Sequence, residues 1–196
     1  MIRTMTAALA AAVLLAAGGA GPARAQLFQS KDDLWIGYLA KREKSAILLT
    51  VMLANASGTP LCWGPDLQLR PVGEKGKSIT IHASANLINP GRYDVVSARC
   101  SEGFNKGVYR GPHARIDAPA GQVVDFGTLR LEYDVKSDNI FTGAGTGTLK
   151  KSVLPLPANE REHLKGSLPK VMARAVKRHM TLIGPATSSV KQRRRF

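Results

Sequence analysis

Few groups in this sequence can carry chemistry, and their spacing limits what they can do. The run from Phe141 to Thr148 contains Gly143-x-Gly145-x-Gly147. Amides of such a loop cradle phosphate when a helix opens directly behind them. Here Lys150-Lys151-Ser152-Val153 leads into Pro155 and Pro157 instead, and the G-x-x-x-x-G-K-S/T spacing is absent. The stretch 141–158 therefore reads as a Gly/Pro connector.

The histidines are His82, His113, His163 and His179, and no two have the spacing of a zinc motif. They read as unrelated imidazoles, with no metal and no cofactor expected. No G-x-S-x-G elbow occurs. Asp134 and Asp138 lack the alternating ligands of a calcium loop. Trp35, Tyr38, Trp63, Tyr93, Phe104 and Tyr109 suit either a carbohydrate or peptide groove or the packing of a core, and core packing is the reading preferred for at least half of them.

The strongest signal is charge. Residues 150–196 hold 12 Lys/Arg against Glu160 and Glu162, whereas residues 26–149 hold 14 Lys/Arg against 12 Asp/Glu. A C-terminal quarter of that kind is drawn to anionic lipid, anionic polysaccharide or another acidic envelope component. The candidate contacts are Lys170, Arg174, Lys177, Arg178, Lys191, Arg193, Arg194 and Arg195. Nucleic acid is not expected, because no aromatics interleave with these cations. The competing reading is a solvated helix face whose apolar stripe packs on the body.

Behind these groups stand the elements that must position them. Met1-Ile2-Arg3, the apolar stretch Met5 to Ala17, and Ala23-Arg24-Ala25 form the three parts of a secretory signal cleaved before Gln26. The mature chain is then expected in the periplasm or outside the cell. In that compartment Cys62 and Cys100, the only cysteines, should pair.

Leu34 to Leu39 reads as a first strand, and Ala46 to Ala54 as a strand buried on both faces. Further strands are expected at Asp66–Pro71, Ser78–His82, Arg92–Cys100, Val108–Ile116 and Val123–Phe126, with Gly127 permitting a bulge. Thr128 to Val135 alternates, with Leu129 and Leu131 facing inward and Arg130 and Glu132 outward. Strands this close leave no room for crossover helices, so residues 26–140 predict an antiparallel β-sandwich. Asn159 to Leu164 predicts a short helix and Ser167 to Ile183 a second one. The tail 184–196 reads as basic and disordered.

Asn89-Pro90-Gly91-Arg92-Tyr93-Asp94-Val95-Val96 and the later Asp117-Ala118-Pro119-Ala120-Gly121-Gln122-Val123-Val124-Asp125-Phe126-Gly127-Thr128-Leu129 carry a resemblance. Together they resemble a loose group of uncharacterised exported proteins of Gram-negative bacteria, whose sandwich is similar to transthyretin-like or carboxypeptidase-regulatory modules. The resemblance covers about 40 residues, and its motifs are turns. It implies fold and compartment, and no activity.

The combined expectation is a mainly β exported module, non-catalytic, binding an unknown protein or envelope component. The alternatives are a cationic protein held to anionic lipid or polymer by its basic C-terminus, and an enzyme with an unrecognised site.

Overall fold

A computed structural model describes residues 30–73, 76–82, 84–100, 107–139 and 144–193. The expected signal peptide 1–25, together with Arg194 and Arg195, lies outside the described residues.

The chain folds into two packed sheets with helices on one outer face. The first sheet runs β12-β9-β8-β1-β2, with β5 also on β1 and β10 also on β8. Its strands are β1 (Ser45–Asn55), β2 (Pro60–Trp63), β5 (Ala85–Ile88), β8 (Val123–Asn139), β9 (Ala144–Leu154), β10 (Ala175–Lys177) and β12 (Thr187–Arg193). The second runs β11-β7-β6-β3-β4, from β3 (Asp66–Pro71), β4 (Ile79–Ile81), β6 (Gly91–Cys100), β7 (Gly107–Ala118) and β11 (Thr181–Leu182). A mainly β sandwich is therefore present, with one correction to its antiparallel character. β1 pairs β8 in parallel, and β10 does so too. The crossover from β1 to β8 is made by the second sheet rather than by a helix.

β1 is buried on both sides because two cores meet at it. Ile47, Leu49, Val51 and Leu53 face the other sheet, where Leu69, Val95 and Ile116 pack against them. Ala46 and Leu48 face outward, under Trp35, Leu39, Leu164, Leu168 and Val171. Each fully buried Leu or Val removes apolar area worth roughly 2 kcal/mol.

β8 keeps its inward set through a bulge. Leu48 pairs Asp125 but Leu49 pairs Gly127, so Phe126 is the extra residue. Val124 before the bulge, Phe126 in it, and Leu129 and Leu131 after it all reach the same core. Gly127 has φ 75°, and a Cβ there would lie 2.3 Å from the Leu154 carbonyl oxygen. Only glycine fits that approach. The buried Asp125 carboxylate accepts the Gly127 amide at 3.0 Å and pairs with Arg161 at 2.5 Å, tying the bulge to the helical layer.

Four stretches differ from expectation. Leu34–Leu39 is part of helix α1 (Lys31–Ala40), not a strand. Ser30 caps it by accepting the Asp33 amide at 3.1 Å, and Trp35 and Leu39, four residues apart, bury one face. Residues 141–158 are not merely a connector, because β9 occupies most of them. Its Gly147 lies under the Tyr133 ring, where a Cβ would sit 2.9 Å from the ring and 2.2 Å from the Asp134 carbonyl oxygen. That glycine serves packing, not phosphate.

The long second helix is also absent. α2 (Ala158–Ser167) and α3 (Pro169–Met172) form, and then the chain turns into strands. β9 covers β8 only from Thr128 onward, leaving the amides and carbonyls of Val123–Asp125 to be paired. β10 pairs them. The chain then crosses to the second sheet as β11, buries Met180 in the core, and returns as β12 along β9. The stretch 184–193 is thus largely a strand rather than a disordered tail.

Cys62 on β2 and Cys100 on β6 form a disulfide that links the two sheets, with Cα atoms 6.1 Å apart. Both residues are buried in the common core. Among the described residues, no helix is long and apolar enough to cross a membrane.

Candidate binding surface

The turn at residues 119–122 gathers cations from two distant parts of the chain. It lies against the end of α1, where the Gly121 amide donates to the Lys44 carbonyl at 2.9 Å. Helix α1 ends with the Arg42 amide on the Leu39 carbonyl at 3.0 Å and the Glu43 amide on the Tyr38 carbonyl at 3.2 Å. Lys41 and Arg42 are exposed, and cations at a helix C-terminus are favoured by its partial negative charge. Lys44 follows, its Nζ donating to Asn89 Oδ1 at 2.6 Å.

β10 supplies the other cations. Ala175 is level with Val123, which brings Arg174 to the register of Gln122. Lys177 is level with Asp125, and Arg178 donates to Gln122 Oε1 at 3.0 Å. Arg174, Lys177 and Arg178 are all exposed. One end of the first sheet therefore carries Lys41, Arg42, Lys44, Arg174, Lys177 and Arg178, together with the exposed acids Glu43 and Asp117 and the buried Asp125, which Arg161 pairs.

The expected C-terminal cluster is divided. Arg174, Lys177 and Arg178 converge at this end. Lys170 is on α3, where its Nζ pairs with Asp33. That pairing pushes the Lys170 amine up and, with the Ser30 hydroxyl assisting, the Asp33 carboxyl down. Lys191 and Arg193 are on β12, whose last residues pair β9 opposite Asn139, while Lys177 pairs at Asp125. At ~3.3 Å per residue, the two groups stand roughly 45 Å apart along β8. Lys41, Arg42 and Lys44 were not among the expected contacts. The run Lys41-Arg42-Glu43-Lys44, with three cations in four residues, is the signal for them in the sequence.

Among the described residues, neither His82 nor His113 joins a reactive set. His82 Nδ1 lies 2.7 Å from Asp66 Oδ1 on the exposed second sheet, with no hydroxyl or thiol joined to the ring among the described residues. His113 is buried, its Nε2 3.1 Å from the Tyr109 carbonyl oxygen. Burial pushes its imidazole below the ordinary range; the Tyr109 carbonyl opposes this and the Lys151 charge adds to it. Lys151 lies on the core side of β9 between Leu149 and Val153, and burial lowers its amine as well. Its Nζ donates to the Ile183 carbonyl, which fastens the chain between β11 and β12. Among the described residues, no three His, Cys, Asp or Glu side chains converge as metal ligands.

Trp35, Tyr93 and Tyr109 lie apart from one another, and Phe104 is outside the described residues. Trp35 lies under the helices, Tyr93 is in the sandwich core, and Tyr109 meets Tyr133 edge-on across the sheets at 6.2 Å.

Compared with protein-family models, curated proteins and solved structures, the chain has no significant match.

Proposed function

We propose that this protein is an exported, non-catalytic binding module that engages an acidic partner at the basic end of its first sheet. The observation that carries the reading is the convergence of Lys41, Arg42 and Lys44 with Arg174, Lys177 and Arg178 around the turn 119–122. These groups come from opposite ends of the domain in sequence, and like charges so placed repel unless a counter-charge serves them. Arg174 and Lys177 make no ion pair among the described residues, whereas Arg161, Lys165 and Lys170 each do. The occupation of His113 and Lys151 in core packing supports a non-catalytic role. Export is supported by the buried inter-sheet disulfide, which an oxidising compartment favours. The transthyretin-like resemblance belongs to the same proposal; its two segments supply β6 and the turn from β7 into β8.

The test measures binding of fluorescent poly-glutamate and of phosphatidylglycerol vesicles at low and moderate salt. Replacing Lys41, Lys177 and Arg178 together by glutamate should weaken poly-glutamate binding at least tenfold, and added salt should weaken the parent. Binding that ignores both salt and the substitutions overturns the proposal. Equal binding by a chain ending at residue 186 would separate this end from the cations of β12.

A further inference from the structure

We infer that β10 is a docking edge that receives an acidic, extended segment of a partner polypeptide as an added strand. The inference rests on the basic-end reading above and names the chemistry of its partner.

β10 has β8 on one side, and no strand pairs its other side among the described residues. The Arg178 amide donates to the Asp125 carbonyl at 3.0 Å, so residue 178 turns its amide toward β8. In a strand, alternate residues turn their amides to opposite sides. The N–H and C=O of Ala175 and Lys177 therefore face the open edge, in the arrangement a further strand requires.

The side chains on this edge define the partner. Val176 is 54% exposed, although its register neighbour Val124 is wholly buried in the core. A large apolar side chain level with the core is thus left in water at the rim. Arg174, Lys177 and Arg178 flank it in sequence and are exposed, and Arg42 stands across the turn. A second copy of the chain would set Lys177 and Arg178 against their own kind, which disfavours edge-to-edge pairing of two molecules. A segment with an apolar residue beside Val176 and acidic residues beside its neighbours satisfies the backbone, the valine and the cations together.

The experiment uses the whole mature chain and a ten-residue peptide of alternating glutamate and valine, followed by calorimetry. A second peptide has the same residues with every backbone amide N-methylated. Saturable binding of one peptide per chain is expected, weakened at least tenfold by N-methylation. Ala175→Pro removes an outward amide without touching charge, a change that edge strands tolerate, and it should cause a similar loss. Retention of full affinity by both the methylated peptide and Ala175→Pro overturns strand addition. In that case a loss on replacing Lys177 and Arg178 by glutamate leaves the basic-end reading standing, and no loss removes that reading as well. The methylated peptide reads the parent protein directly, so the test survives a poorly folding variant.

Discussion

Arg42 and Gly121 meet with both backbones in the left-handed region, at φ 59° and 75°. A Cβ on Gly121 would lie 2.8 Å from the Leu39 carbonyl oxygen and 3.1 Å from Arg42 Cγ. Glycine is the usual residue just past a helix end, and here the position past α1 is held by arginine. The strain is retained at the centre of the basic end, where the side chain is wanted.

Arg42→Gly should therefore raise stability by about 1 kcal/mol while weakening poly-glutamate binding. Gly121→Ala should cost about 2 kcal/mol or more, since it adds both left-handed strain and a backbone clash. Urea unfolding of both variants checks the opposite signs.

The buried Asp32 carboxylate accepts the amides of Lys170 at 2.8 Å and Val171 at 3.0 Å, capping α3 from another helix. Asp32→Ala leaves those donors without it and should cost about 3 kcal/mol. The loss should appear in urea unfolding, and amide exchange should quicken first at residues 170 and 171.

The disulfide closes a separation of 38 residues between the two sheets. On the chain-entropy account its removal by paired Cys62→Ala and Cys100→Ala should cost about 4 kcal/mol. Alkylation followed by mass measurement, with and without reductant, should differ by two labels per chain.

His113 supplies a pH dependence. Its folded-state imidazole titrates below the ordinary value of 6.5, with burial the main cause. Below pH 6.5 the unfolded chain therefore binds more protons at this site than the folded one. Stability should fall as pH drops from 7 toward the folded value and should level off beyond it. His113→Gln should flatten that part of the profile, as read from urea midpoints between pH 7 and 5. An unchanged slope would mean that other groups carry it.

Several elements were legible because their signals are local. Ala46–Ala54 was readable as a doubly buried strand, and Ser45–Asn55 is that strand. The alternation of Leu129 and Leu131 with Arg130 and Glu132 marked the inner face of β8, and Gly127 marked its bulge. The pairing of Cys62 with Cys100 was expected from an even cysteine count behind a secretory-type N-terminus, and the two are bonded. Leu34–Leu39 misled because an apolar run of that length suits strand and helix equally. The Ser30 cap and the four-residue spacing of Trp35 and Leu39 settle it as a helix.

The 167–183 segment shows where such reading stops. Of the expected stripe Leu168, Met172, Ala175, Val176, His179 and Leu182, Leu168 is buried and Met172 partly so, while the fully buried residue of that turn is Val171. Beyond them, the open edge of Val123–Asp125 binds the chain as a strand, because unpaired backbone groups there outweigh a modest helical preference. Periodicity, turn glycines and charge composition are properties of neighbours along the chain, so the sandwich and its basic character were readable in advance. Which edge lacks a partner, and which cations end up together, depends on contacts between residues far apart in the sequence. Arg42 beside Gly121 and Arg178 beside Gln122 come from such contacts, and so does the division of the C-terminal cations between two ends of β8.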